Sequence, residues 1–500
     1  MSISGTPTPP IAIEADPSSV TSHLSASRVE ISEANLEELI ATGAAVTTSD
    51  GELVEASRDW WPLAMIWALD GEVAALASVV VRPSDAHQVA AVLKVCNDAR
   101  LPVTPAAGRS GVCGASVPLH GGVLLDLTSM TGIVEVDTES LTVRVLPGTF
   151  GTWFEETLQS DHNVTVGHWP QSMALSTVGG WVACRGAGQY STRYGKIEDM
   201  VVALEVALAD GRIIRTGDAP RSAIGPELNR IFVGSEGTLG VITEATLRLH
   251  PLPTYQRRSA YSLATFADGL EVCRRILHRG ATPAVLRHYD EIEGDRSYKT
   301  GDRQVLLVMD EGDPALIDAV MGIVDEECMS IGAERLDEAL VEQWMGHRND
   351  VSALESLIRR GFVVDTMEIS APWSKCAEIY SAATKALRSL EHTMVASAHQ
   401  SHAYSDGACL YFTFAGNPPA DERESYYISA WDAGQRAVLE AGGALSHHHG
   451  VGLNRSRFMQ DELGEGLSVL GDLKSALDPN GVLNPGKLGL PDPWGGPEWP

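Results

Sequence analysis

The sequence predicts an α+β protein of more than one domain, and three observations carry that expectation. Its 500 residues exceed what one hydrophobic core ordinarily organises, so two or three domains are expected. Stretches with strand and helix periodicity alternate along the chain from Leu76 onward. The third observation is the stretch Pro170–Gly211, where glycine-rich turns lead into a strand at Val201–Leu208 and the turn formers Asp210 and Gly211. Gly179, Gly180, Gly186, Gly188 and Gly195 recur where a chain could pass beside a large planar or phosphate-bearing ligand. A glycine-rich loop without a ligand is the competing reading at this point.

Taken in order, residues 1–25 are rich in Ser, Thr and Pro and have no cationic start before an apolar run. They are expected to be a flexible N-terminal arm rather than a signal peptide. Residues 30–45 have the spacing of a short acidic helix. Leu76–Val81 reads as a strand stopped by Pro83, which removes a ladder donor. A helix follows over 85–100, with Val89, Val92, Leu93 and Cys96 on one face and Asp85 able to cap it. After the extended Leu101–Pro105 comes a small-residue turn at 106–111, whose free N–H groups could converge on phosphate oxygens. The turn matches neither the dinucleotide GxGxxG fingerprint nor a GxxxxGK[ST] loop. Residues 140–162 add a strand, a Pro-Gly turn and a helix. Gly234, Gly237 and Gly240 precede a strand through Leu249, and Pro251 and Pro253 mark a boundary.

A first domain over 26–253 follows from this reading. Beyond it, helical patterns at 267–279, 313–332 and 337–360 alternate with strands at 305–312, 362–369 and 409–416. They define an α+β substrate domain over 254–440. The closing segment, 441–500, carries the run Ser446-His447-His448-His449-Gly450 and two tight turns, and is expected to return to the first domain.

Charge excludes some functions. Lys and Arg number 37 against 66 Asp and Glu, and the resulting −29 repels nucleic acid and anionic lipid. No run of apolar residues is long enough to span a bilayer, so a cytoplasmic protein is expected. The seven cysteines form no CxxC pair and no cluster of zinc spacing, which fits buried thiols in a reducing compartment and predicts no metal site.

The motifs then add up to a resemblance. Ser172, Ser176-Thr-Val-Gly-Gly180, Tyr194-Gly195, Ile197-Glu198-Asp199 and Val201 look like the FAD-binding core of the alkylglycerone-phosphate synthase branch of the vanillyl-alcohol-oxidase (PCMH-type) flavoproteins, which also include D-lactate and glycolate dehydrogenases. Gly234-Ser-Glu-Gly237-Thr-Leu-Gly240-Val-Ile-Thr-Glu244 and Asn484-Pro-Gly-Lys487 resemble further family signatures, and Tyr404–Phe412 and Ser446–Gly452 resemble the synthase branch. The resemblance implies a two-part PCMH-type FAD-binding domain with an inserted α+β substrate (cap) domain. It also implies that Pro105, Ala106, Ala107, Gly108, Arg109, Ser110 and Gly111 meet the FAD pyrophosphate. Pro170, Ser172, Met173, Ser176, Thr177, Gly179, Gly180 and Ser191 would line the cofactor, with Glu236, Gly237, Gly240, Val241 and Ile242 against its flavin and adenine ends. Arg109 stands where the loop is generally glycine. No histidine occupies the positions used for covalent attachment, so non-covalent FAD is expected.

For catalysis the resemblance points to Tyr404, to His447, His448 and His449, and to Arg287 as an anion-holding arginine. Metal contact, surface polarity and structural hydrogen bonding are the other readings of the histidine run, and Tyr411 reads as packing. Relatives that use phosphate or carboxylate substrates place an arginine eleven residues before the residue matched by Asp365. Here that position is Leu354, and Arg348 could replace it only through a shifted loop. The expected function is FAD-dependent oxidation of an alcohol or 2-hydroxy-acid-like substrate by hydride transfer. The alternatives are the non-redox synthase exchange of acyl for alkyl, and a catalytically inactive flavin-bearing binding protein. The expected partner is a small-molecule substrate, lipid-like or aromatic; a homodimer is left open.

Overall fold

The computed structural model describes residues 9–496 and 499. Three sheets organise them. The first contains β1 (Ala45–Thr47), β2 (Val79–Arg82), β3 (Val103–Ala106) and β4 (Val123–Asp126), in spatial order β1-β2-β4-β3. β2 and β3 both run parallel to β4. Val79, Val81, Val103, Val123 and Leu125 pack with Val89, Val92, Leu93 and Cys96 of helix α1 (Ala86–Ala99). The helix begins where expected because the Asp85 carboxylate accepts the Gln88 N–H at 2.9 Å.

The second sheet is antiparallel. Its strands are β5 (Ile133–Asp137), β6 (Thr142–Val145), β7 (Val201–Ala207), β8 (Ile213–Arg215) and β9 (Val241–Arg248), ordered β8-β7-β9-β6-β5. The glycine-rich stretch before β7 forms three short helices, α2 (Val178–Ala183), α3 (Ser191–Tyr194) and a last turn at Ile197–Met200.

The third sheet has seven strands: β10 (Tyr255–Leu263), β11 (Val285–Tyr289), β12 (Gln304–Gly312), β13 (Glu334–Leu336), β14 (Val363–Pro372), β15 (Thr393–Ala403) and β16 (Gly407–Gly416). Their order is β13-β10-β12-β11-β15-β16-β14. Alternation along each strand separates its two faces. Leu306 and Val308 pack with α4 (Phe266–His278) and α5 (Pro314–Ser330), while Val305, Leu307 and Met309 join the core that holds Trp181, Leu204 and Ala245 near the second sheet. On β16, Leu410, Phe412 and Phe414 go into the core with Trp431, which leaves Tyr411 and Thr413 on the other face.

The helical pattern at 337–360 is broken in two, α6 (Ala339–His347) and α7 (Ala353–Arg359), with Arg348 as the C-cap of the first. The tail returns to the first sheet: Val103 N–H donates to Val482 O at 2.8 Å, and Asn484 Nδ2 donates to Ala115 O at 3.0 Å and Glu236 O at 2.6 Å.

The flexible arm expected at 1–25 needs correction. Residues 1–8 lie outside the described residues, but from residue 9 the chain is packed. Ile11, Val20 and Leu24 are buried, and Thr21–Ser22 pairs in parallel with Glu72–Val73. The His23 ring lies between Glu72 at 2.7 Å and Glu424 at 2.9 Å. Three isolated apolar residues anchor this segment, too few to stand out among its Ser and Pro. No helix among the described residues is long and apolar enough to cross a membrane.

Candidate active site and cofactor cleft

One continuous cavity of about 880 Å³ is bounded by the first two sheets on one side and the open face of the third sheet on the other. Its first end is made of backbone and small side chains. Pro105–Gly111 follows directly from β3 and meets the segment 170–177. The contact is so close that a Cβ on Gly108 would stand 2.4 Å from the Leu175 carbonyl oxygen, whereas at Gly111 a Cβ would meet nothing within 4 Å. Pro105, Ala106, Ala107, Gly108, Arg109, Ser110, Gly111, Pro170, Ser172, Ser176, Thr177, Gly179 and Gly180 all line this end, as do Glu236, Gly237, Gly240, Val241 and Ile242.

The donors of this wall fit an anionic cofactor. Arg109 Nε and Nη1 and Thr177 Oγ1 are buried without a hydrogen-bond partner among the described residues. Buried polar groups in folded proteins are almost always satisfied, so these await acceptor oxygens. The Asp126 carboxylate lies 3.6 Å from Arg109 and also takes Arg82 at 3.1 Å. Glu236 differs from the other lining residues. Its carboxylate accepts the N–H groups of Val451 at 2.6 Å and Gly452 at 2.9 Å, so it ties the tail to the cleft.

Two expected cofactor contacts are not on this wall. Met173 is a core residue packed with Phe154 and Trp181. Ser191, on α3, bonds instead to His402 Nδ1 at 2.7 Å and Tyr404 Oη at 3.0 Å. A small residue in a glycine-rich segment carries no signal of which way its side chain turns.

The second end is built from side chains far apart in the chain. His448 and His449 line the cavity, while His447 and Tyr404 stand behind them. Tyr404 Oη lies 2.9 Å from His447 Nε2, and His447 Nδ1 lies 2.9 Å from His448 Nδ1. The turn carrying these rings is pinned by Glu368 of β14. Its buried carboxylate accepts the N–H groups of His447 at 2.5 Å and His449 at 2.6 Å and the Ser446 hydroxyl at 2.9 Å, and pairs with Arg455 at 3.3 Å. Burial works against the ionised form, but Arg455 and the turn's N–H groups outweigh it and hold the carboxyl down at about 2.

Burial is also the largest influence on the rings. It drives His402, His447 and His448 well below the ordinary imidazole value, with Lys196 adding to the effect at His447. His449 falls to about 4, Glu368 opposing the shift. Burial raises the Tyr404 phenol well above its usual value. Near neutral pH this end therefore holds uncharged imidazoles and a protonated phenol.

Arg287, on β11, lines the cavity between the two groups. It donates to Tyr289 Oη at 2.9 Å and to His399 Nε2 at 2.5 Å. Because arginine only donates, His399 carries its proton on Nδ1, which reaches Glu293 at 2.7 Å.

Sequence reasoning missed His402, which a register shift between Gln400 and His402 on β15 turns toward this cluster. The ring nitrogens of His402, His447 and His448 lie within 4.8 Å of one another, a spacing a divalent cation could bridge; the hydrogen bonds to Ser191 and Tyr404 account for two of the three. Tyr411, expected as packing, also lines the cavity, with its hydroxyl on Thr366 Oγ1 at 3.0 Å. All seven cysteines are free, six of them buried.

With this geometry in place, comparison with known proteins fixes the family. Residues 77–217 match the FAD binding domain family, and residues 252–488 match the C-terminal domain of FAD linked oxidases. An uncharacterized FAD-linked oxidoreductase of Escherichia coli O157:H7, YgcU, is 32% identical over 431 residues, covering 83% of this chain and 89% of that protein. The glycolate oxidase subunit GlcD of Bacillus subtilis is 28% identical over 424 residues, covering 83% of this chain and 89% of that one. In fold, a solved alkyldihydroxyacetonephosphate synthase superposes with a TM-score of 0.77 at 23% identity, covering 97% of this chain and 89% of that one. The arrangement is the PCMH-type FAD-binding fold followed by its C-terminal domain. The chain belongs to the FAD-linked oxidoreductases, and FAD is the cofactor its first domain is built to hold.

Proposed function

We propose that the chain oxidises a small alcohol or 2-hydroxy acid, with non-covalently held FAD in the end of the cavity lined by Arg109 and Thr177. The first two sheets would form the cofactor part and the third the substrate part, meeting at the proline-marked boundary near 253. FAD bound there supplies the two-electron acceptor for a substrate C–H bond. The chain's own task is the substrate's hydroxyl proton.

The supporting observation is the hydrogen-bonded series behind His448. One consistent proton assignment sends His448 Nδ1–H to His447 Nδ1, His447 Nε2–H to Tyr404, the Tyr404 hydroxyl to Ser191, and the Ser191 hydroxyl to His402 Nδ1. That direction leaves His448 Nε2 without a proton, so a neutral imidazole on the cavity wall acts as general base. Tyr404, with its raised pKa, orients His447 as a donor and is not itself a base. Arg287 would position the substrate through its remaining donors.

A second reading, the non-redox exchange of acyl for alkyl, draws support from Tyr404 and the histidine run, which resemble the synthase branch. Anaerobic addition of a panel of alcohols and 2-hydroxy acids separates the two. Bleaching of the flavin, reversed by oxygen or another acceptor, supports oxidation. Absence of bleaching with every substrate, together with radiolabel exchange into acyl-glycerone-phosphate, would establish the exchange instead.

A further inference from the structure

Arg348 is a cation of the cavity wall that meets aromatic rings rather than a carboxylate among the described residues. It caps α6, lines the cavity, and its guanidinium carbon lies 4.9 Å from the centre of the Tyr190 ring, 5.5 Å from Trp169 and 5.6 Å from Trp344. Three aromatic faces flank the fork, which stays partly exposed, and they supply no formal negative charge. Among the described residues its one side-chain hydrogen bond is a long one, 3.3 Å, from Nη1 to the Gln189 amide oxygen. No carboxylate stands within 4.0 Å of it among the described residues, although the chain carries 66 acidic residues against 37 basic ones. Other arginines in this part of the molecule are paired, Arg296 with Glu293 at 3.6 Å and Arg193 with Asp310 at 3.0 Å. Arg287, which packs on the same Trp344 ring, is linked to Glu293 through His399. A guanidinium so held, with most of its donors unused, is preorganised for an anion.

Part of the wall beside it is apolar, although His347 and Asp350 also line the cavity there. Val351, Leu354 and Leu357 line the cavity just beyond Arg348 in the chain, and all three are only partly buried by protein. Leu354 and Leu357, both on α7, extend this apolar face along the cavity. An acid of two or three carbons would leave these side chains in water; an alkyl or aryl chain would cover them.

We propose that the substrate of this site is an amphiphile, whose acid group is held by Arg348 and whose hydrocarbon part lies along Val351, Leu354 and Leu357. The inference rests on the reading of the cavity as a flavin enzyme's substrate site. A carboxylate and a phosphate monoester share the required chemistry.

The test measures binding to the FAD-loaded protein, by perturbation of the flavin spectrum and by thermal shift, with octanoate, octyl phosphate, 1-octanol and acetate as probes. One of the two eight-carbon anions is expected to bind about tenfold or more tightly than 1-octanol and acetate; the tighter of the two identifies the acid. R348Q should erase the advantage of the anion over 1-octanol, R348K should keep part of it, and L357Q should weaken octanoate while leaving acetate unchanged. Octanoate binding that is unchanged in R348Q but lost in R287Q would overturn the proposal, as would 1-octanol binding as tightly as both anions. Flavin content of each variant shows whether it folds, and R348K guards against a collapse of the aromatic box. Because binding is read without turnover, a failure to reduce the flavin would count against the oxidase and leave this inference standing.

Discussion

The two ends of the cavity are built by opposite means. The cofactor end consists of backbone and small side chains contributed by contiguous stretches, 105–111, 170–180 and 236–242. The histidine end depends on side-chain hydrogen bonds that converge from β14, β15, α3 and the turn 446–449. The first should therefore be sensitive to added volume and tolerant of lost polar groups behind its wall, and the second the reverse.

The largest effect is expected from Glu368→Ala. Removing the carboxylate leaves Arg455 buried without its ion partner and frees the N–H groups of His447 and His449. A loss of about 3–5 kcal/mol is expected from breaking such a buried pair, read as a fall in the denaturation midpoint. Gly108→Val comes next. Its new side chain cannot coexist with the Leu175 carbonyl, so the loop must shift and the flavin-to-protein absorbance ratio should collapse. His448→Gln should keep its flavin and lose about 10²–10⁴-fold in the rate of flavin reduction, the usual worth of a general base. Ser191→Ala should do least. If Ser191 only supports His402 and Tyr404, FAD affinity stays unchanged and reduction slows by about tenfold or less, the size of one hydrogen bond.

The pH dependence contrasts the two ends as well. An imidazole accepts a proton only while neutral, and burial lowers the pKa of His448 far below its free value. The reduction rate should stay level as pH falls through about 6.5, where an exposed histidine would titrate. It should decline only at lower pH, as the depressed pKa is reached. A rate profile with its midpoint at the ordinary histidine value would mean that the ring is solvated.

These same differences decide what the sequence could reveal. A strand near Leu76–Val81, observed at Val79–Arg82, the capped helix at 85–100 and the small-residue turns were legible because each is local: the periodicity, the cap and the missing Cβ are all written within a few residues. The turn around Gly108 followed from the same local pattern, whereas Thr177 followed only from the family resemblance. Met173 and Ser191 did not: a side chain's direction within a glycine-rich loop depends on tertiary neighbours, which for Ser191 lie more than two hundred residues away. His402 was hidden by a strand irregularity, and Tyr411 by a strand whose alternate residues face a cavity rather than a core. The packing of residues 9–25 rests on three scattered apolar residues, too sparse a pattern to read.

The central claim is that His448, backed by His447 and Tyr404, takes the substrate proton beside bound FAD. Anaerobic stopped-flow reduction of the flavin by 2-hydroxyoctanoate, in the parent chain, H448Q and Y404F, tests it most directly. The account predicts rapid bleaching in the parent, a small slowing in Y404F, and near-complete loss in H448Q with its FAD retained. Bleaching in H448Q at the parent rate, with Y404F inactive, would contradict it and make the phenol the reacting group.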